Sequence, residues 1–424
     1  MKLITSVHNA MTAFNKYFFL LAFLLLSILP LTLKADSNLS EYVNKLEKRI
    51  NVLEKEKKSQ GILKLRSMNT TLFVGGRISL DTIYLESASG KGGGSNSSDQ
   101  FFNANNIPIN PQGENSELTL TARNSKFWMK TRTQQKGEKP LMTLLEVDFW
   151  GSHGTEQNSN SHNLRLRHAY MLYNGWILGQ TNSLFLGNSQ PHTMLAPVDD
   201  VFMRQALIGY KKTFKNSSLA IALEQPELVV INSLGVKSTI NDDQLPDMVL
   251  KYEYHDNQKQ YSLSLLAREL RIDQEEAYAI TDSTMGYGLN FTGQIDTYKN
   301  NTLSLGLVGG KGIGRYMATS FFPSAVLTAD NKLKAQFSWG THLAYEQWIN
   351  QHLRLNVAGG WIETNPLLDL LTVDKSAWSA HTGLQYSPIK KFLLGIEYIH
   401  GERVLQNNQN YAVDRLYFRS SYDF

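Results

Sequence analysis

The chain has 424 residues, 42% apolar and 19% charged, with 30 Gly, 19 Tyr, 19 Phe and no Cys. The lack of cysteine excludes a disulfide framework, a thiolate metal site and a cysteine nucleophile, and 42 Lys+Arg against 38 Asp+Glu is too even for a general nucleic-acid binder. Charged residues fall below the ~25% of a typical soluble domain, which suits a β protein with much of its surface out of water.

Lys2 and Lys16, with no acid, lead into an apolar run from Tyr17 to Leu33. The run nearly spans a bilayer, but Pro30 and the small Ala35 ahead of Asp36 give it the form of a secretory signal peptide over residues 1–35, cleaved after Ala35. The other reading is an uncleaved anchor. Without those residues the chain carries 39 bases against 38 acids.

Residues 36–60 follow a heptad pattern. Leu39, Val43, Leu46, Ile50 and Leu53 form an a/d seam with charged residues between them. Little more than two heptads is marginal as an independent helix. The segment is either a coiled-coil stem held together by a larger assembly or one amphipathic helix packed on its own domain.

Over residues 61–424 the dominant period is two. Leu72, Val74, Ile78, Leu80 and Tyr84 alternate with Gly75, Arg77, Ser79 and Asp81. Sixteen strands are predicted, near 71–85, 117–133, 141–150, 163–173, 176–186, 203–211, 217–224, 247–255, 260–269, 285–296, 301–309, 334–347, 352–363, 377–386, 391–400 and 414–424. Connections alternate long and short: 86–116, 187–202, 225–246 and 310–333 are long, while Asn174-Gly175 is a two-residue hairpin signal. Short turns on one side and long loops on the other describe an all-β transmembrane antiparallel β-barrel in a bacterial cell outer membrane. Lipid forces closure, because an open sheet edge would leave backbone groups unpaired in hydrocarbon. Sixteen strands leave room for an aqueous channel. Tyr84, Trp150, Tyr170, Trp176, Tyr210, Tyr254, Trp348 and Tyr398 lie near strand ends, as aromatic girdles do. A bulge is expected near Ala122–Ser125, and 203–211 is the other strand of weak parity.

A chain of short stretches resembles the DcaP-like family of trimeric outer-membrane porins. In order, they are Gly76-Arg-Ile-Ser-Leu-Asp81, Asn124-Ser-Lys-Phe-Trp-Met-Lys130, Leu145-Glu-Val-Asp-Phe149, Leu166-Arg-His-Ala-Tyr170 and Gly179-Gln-Thr-Asn-Ser-Leu-Phe185. Arg204-Gln205, Glu224-Gln-Pro226, Leu245-Pro-Asp247 and Gly312-Ile-Gly-Arg-Tyr316 continue the series. Lys126 stands where the family usually has Arg. The resemblance implies a homotrimer with a coiled-coil stem and passage of small anionic or dicarboxylic solutes.

Alternation turns Arg77, Lys126, Lys130, Arg165, Arg167, Arg354, Arg415 and Arg419 inward, and Arg204 is added to the set. A lipid-facing Lys or Arg near the midplane would cost ~2–4 kcal/mol, so mid-strand bases belong in the lumen. There they either form a basic constriction that favours anions or pair with interior acids such as Asp81, Glu146, Asp148, Glu253, Glu397 and Asp423 and leave no net field. Loop 187–202 is the third external loop, which in general porins folds inward. Its Asp199 and Asp200 would then face the wall arginines, or stay at the rim. No catalytic constellation, metal-ligand spacing or cofactor motif emerges, so no enzyme activity, metal or cofactor is expected. The partners are outer-membrane lipid, further copies of the chain and solutes, not nucleic acid. The competing reading is a plugged structural or adhesive barrel whose long loops bind a partner, leaning on Phe101-Phe102 in loop 86–116.

Overall fold

The computed structural model describes residues 62–65, 69–87, 102–109, 115–134, 136–152, 158–274, 280–298 and 301–424. The expected signal peptide and the seam Leu39, Val43, Leu46, Ile50 and Leu53 lie outside the described residues. Sixteen antiparallel strands close into a barrel. They are β1 (Thr70–Ser87), β2 in two runs (Asn115–Thr121 and Lys126–Thr133), β3 (Leu141–Asp148), β4 (Arg165–Tyr173), β5 (Trp176–Asn182), β6 (Arg204–Thr213), β7 (Ser217–Glu224) and β8 (Asp247–His255). The rest are β9 (Lys259–Gln274), β10 (Ile280–Asp296), β11 (Thr302–Lys311), β12 (Phe337–Trp348), β13 (Leu353–Asn365), β14 (Asp374–Tyr386), β15 (Phe392–Leu405) and β16 (Asn410–Asp423). β16 pairs with β1 from Arg77↔Asp423 to Ser87↔Val413 and closes the ring. Beyond that ladder Phe424 and Gly76 exchange two backbone hydrogen bonds, at 3.0 and 3.3 Å.

The alternation is inverted relative to a soluble sandwich. Outward positions such as Ile78, Leu80, Leu219, Ile221, Leu416 and Phe418 are exposed, while inward Ser79, Asp81, Ser218, Arg415 and Arg419 are buried. This is the pattern of a barrel with apolar residues toward lipid and polar ones toward the lumen. Tyr84, Trp176, Tyr210 and Tyr398 are exposed on the outer face.

Two bulges shift parity. Between Arg77↔Lys126 and Asp81↔Thr121, three residues of β1 face four of β2, so the extra residue falls at 122–125 as expected. The second interrupts the β3–β4 ladder at Arg167. An extra residue flips every later side chain. Tyr170, expected in a girdle, therefore turns into the lumen and meets His168 edge to face at 6.2 Å.

The apolar core is inside the barrel. Loops 102–109, 183–203 and 312–324 fold inward and bury Phe102, Phe185, Leu195, Val198, Tyr316, Met317, Phe321 and Phe322 against inward Ile83, Ile362, Ile399 and Tyr417. Full burial of such a side chain contributes about 1.5–3 kcal/mol, enough to hold several loops in place. A separate four-stranded sheet joins two long loops: Lys237–Ile240, Leu228–Asn232, Ala325–Leu327 and Leu333–Ala335, with a parallel pair at Val230↔Ala325. Its Leu228, Val230, Ala325 and Leu333 pack on Leu270 and Ile272 of β9. This sheet was not expected from sequence, where both segments read as plain loops.

Candidate functional site

The third external loop leaves β5 at Asn182 and crosses the lumen. Leu184 N–H donates to Glu224 of β7 (2.8 Å), and Asn188 N–H to Ser262 Oγ of β9 (3.1 Å). Lys251 of β8 donates to the Leu186 carbonyl (2.7 Å) and Asn188 Oδ1 (2.6 Å). Farther along, His192 meets Glu346 of β12 (2.9 Å), and Met194 N–H donates to Glu397 of β15 (2.6 Å). Val198 N–H then donates to Ser379 Oγ of β14 (2.9 Å). Gly360 and Gly395 sit where the loop comes closest, since a Cβ there would strike Pro197 and Met194 respectively. The loop thus lies along the β7–β15 side. The opposite wall, β16 and β1 to β4, takes none of these bonds, although loop 102–109 packs against its Ile83, Arg415 and Tyr417.

Asp199 does not meet an arginine. It is 3% exposed and its carboxylate lies 2.6 Å from His342 Nδ1 on β12. Asp200 carries backbone bonds, donating its N–H to Pro197 (3.1 Å) and accepting from Ala318 (2.9 Å). Both aspartates therefore belong to the attachment of the loop.

A buried network locks this loop to loop 312–324. Gln205 Nε2 donates to Glu224 (2.6 Å) and to the Tyr316 hydroxyl (3.0 Å), which donates to Asp247 (2.7 Å). Arg268 and Arg315 stand 3.2 and 3.6 Å from Asp247. Gln205, Glu224, Asp247, Arg315 and Tyr316 all come from the short stretches that carry the family resemblance. Dispersed in the chain, they form one clamp in space. Sequence reasoning gave them no role, because nothing local signals contacts such as Asp247–Tyr316 and Gln205–Tyr316, 69 and 111 residues apart.

The basic wall is also paired, but less tightly enclosed. Arg165 forks onto Asp148 (3.0 and 2.7 Å), and Arg167 reaches Glu146 and Asp148 (both 2.7 Å). Lys126 lies 3.6 Å from Glu146, Arg77 2.8 Å from Asp423 and Arg419 2.7 Å from Asp81. Lys130 lies over the Trp128 ring at 4.5 Å, and Arg415 over Phe102 at 5.4 Å. Inward positions of β16 and β1 to β4 thus carry Arg77, Lys126, Lys130, Arg132, Arg165, Arg167, Arg415 and Arg419 against Asp81, Glu117, Glu146, Asp148 and Asp423. The loop-covered side reverses the balance. There Lys211, Lys251, Arg268, Arg315, Arg354 and Arg403 face Asp199, Glu224, Asp247, Glu253, Asp282, Asp296, Glu346, Asp374 and Glu397. Arg354 belongs to this second set, 2.9 Å from Glu346. Arg204 joins neither. It opens β6 one step out of phase with inward Gln205 and lies over the Phe202 ring at 4.6 Å.

Phe102, half of the pair on which the adhesive reading leaned, is buried rather than displayed. Its N–H donates to the Ala196 carbonyl (2.8 Å) and its ring packs edge-on to His381 at 6.2 Å.

A closed sixteen-strand barrel, apolar outside and polar within, narrowed by an inward third loop, defines the porin class of outer-membrane channels. More particularly, a family model described as the DcaP outer membrane protein matches residues 34–424, and the chain belongs to that family. No curated protein matches the chain in sequence. Among solved structures it is similar to the outer membrane channel DcaP of Acinetobacter baumannii, with TM-score 0.69 at 19% identity over 84% of this chain and 98% of that one. It is similar also to the anion-selective porin of Comamonas acidovorans (TM-score 0.52, 11% identity, 83% and 100%). The trimer form of OmpT from Vibrio cholerae follows (TM-score 0.51, 8% identity, 84% and 99%). At these identities the likeness is one of fold. The protein is an outer-membrane channel.

Proposed function

We propose that the channel passes small hydrophilic anions, dicarboxylates among them, by passive diffusion along the β16–β4 wall, without chemistry. The observation that carries this reading is the charge asymmetry across the lumen, with eight bases against five acids on the β16–β4 wall. Bases in a narrow aqueous passage raise the local concentration of anions, and an Arg fork binds a carboxylate in two-point fashion. The carboxylates already paired on this wall moderate the field, so anions are favoured without being trapped. We further propose that the functional unit is a homotrimer with residues 36–60 as its stem after removal of residues 1–35. A similar fold recorded in trimer form supports this. Planar-bilayer recording of the full mature chain under a salt gradient tests both points. Conductance in three equal steps with a reversal potential of anion sign is expected. A cation-selective trace would reduce the bases to wall structure, and a sealed trace would restore the plugged, partner-binding barrel.

A further inference from the structure

A cavity of about 210 Å³ lies among the external loops, away from the basic wall. Six segments line it, around Asn105, Ile231–Lys237, Phe321–Val326, Gln336, Leu367–Asp374 and Arg403–Gln406. One side is aliphatic, formed by Ile231, Val326, Leu367, Leu368 and Leu370. Its outer rim continues the apolar surface, since Leu234, Val236, Leu367 and Leu371 are all exposed. Exposed aliphatic residues around a concavity mark a binding surface more often than a solvated loop.

The polar side holds two cations that differ in availability. Arg403 is fully engaged: it forks onto Asp374 and donates to the carbonyls of Asn105 (3.3 Å) and Ile107 (3.1 Å). Lys237 meets only carbonyl oxygens, those of Ser320 and Phe321, the latter at 3.1 Å. Among the described residues one of its three N–H groups therefore has no acceptor, and no carboxylate lies within ion-pair distance of it. Gln406 accepts the Leu370 N–H through its amide oxygen (3.3 Å), which leaves its NH₂ as a second donor. Much of the Lys237 stem meets solvent, but its ammonium turns inward under residues 320–321. That burial pushes its pKa down to about 8, against the pull of Asp374 and with Arg403 adding to the shift.

We propose that this cavity is a binding site for a small amphipathic monocarboxylate, its carboxylate on Lys237 and its hydrocarbon body against Leu368 and Leu370. The single available cation favours one carboxylate over two. The volume equals that of about seven waters at ~30 Å³ each, which suits a body of six or so heavy atoms. The site is separate from the transport reading, so binding is measured without conduction.

Calorimetry of the full mature chain in detergent tests it, with hexanoate as probe and with acetate and hexanol as partners lacking the apolar body or the charge. Hexanoate is expected to bind and the other two to bind at least tenfold more weakly. Lys237→Gln and Leu370→Asn should each weaken hexanoate roughly tenfold or more, the size of one lost charge-assisted hydrogen bond or one unfavourable polar burial. For the wild type, affinity should fall as pH rises through about 8, and Lys237→Gln should remove that dependence. If Leu370→Asn disturbs the fold, the exposed Lys237→Gln carries the test alone. Absence of hexanoate binding, equal binding of hexanol, or an unchanged affinity in Lys237→Gln would overturn the proposal. None of these results bears on ion selectivity, so the two readings fail separately.

Discussion

The β16–β4 wall and the clamp around Asp247 use the same residue types and differ in water. On the wall, the side chains of Arg77, Lys126 and Arg165 remain 33, 26 and 29% exposed, whereas Arg167, Arg415 and Arg419 are buried. In the clamp, Arg268 and Asp247 are both wholly buried. Solvated pairs contribute about 0–1 kcal/mol, so they are free to exchange partners with a passing anion. Buried pairs contribute little net stability, yet breaking one is severe, because the survivor is an uncompensated charge. The comparison teaches that arginine density alone does not mark the site of transport. Hydration divides the arginines, even within the wall, into the wetted Arg77 and Arg165 and buried ones such as Arg415, which lies over Phe102 of an inward loop.

The sharpest way to break this division is Asp247→Asn. It strands Arg268, while Arg315 keeps Glu227 at 3.7 Å, and is expected to destabilise by about 3–5 kcal/mol, read as a lower urea midpoint of the refolded protein and a noisier open channel. A smaller effect, on selectivity and not on stability, is expected at Glu146, which receives Arg167 and Lys126. Glu146→Gln should raise the anion-to-cation permeability ratio roughly fourfold, about twofold for each ion from a unit charge across about 10 Å of water. Arg167→Ala should lower it. Reversal potentials measure both, and no change in either would place the solute path elsewhere.

The smallest expected effect concerns loop 241–246, outside the membrane. Asp243 accepts the Arg271 N–H at 3.0 Å. Burial pushes its carboxyl up to about 6, opposed by that N–H and by Arg268 and reinforced by Asp247 and Glu269. The docked value lies above the ~3.9 of a free aspartate, so the docked loop binds more protons between about pH 4 and 6. Docking therefore strengthens as pH falls from 7 through 6, and levels off below about pH 4. The protection factor of the Arg271 amide, its exchange rate corrected for the intrinsic pH dependence, should rise over that window, and Asp243→Asn should abolish the rise.

Much of the barrel was legible because lipid and water impose alternation on every strand. All sixteen strands and the inward set Arg77, Lys126, Lys130, Arg165, Arg167, Arg415 and Arg419 follow from it. The bulge at 122–125 also showed, as a run that breaks the period. The one at Arg167 did not, since Leu166-Arg167-His168 reads as ordinary alternation and only pairing with Glu146 exposes the extra residue. The clamp and the small sheet stayed hidden for a related reason. Val230 and Ala325 are 95 positions apart and their strands are three to five residues long, too short to carry a period. Asp199 illustrates the limit: its place in an inward loop was foreseeable, but its bond to His342 depends on β12, 143 positions away.

The pinned third loop has a kinetic consequence. A loop fastened to β7, β8, β9, β12, β14 and β15 cannot swing aside for a bulky permeant. The aperture then behaves as a fixed sieve, not as a valve. Flux would rise in proportion to the gradient for solutes that fit and collapse over a narrow range of molecular cross-section for those that do not.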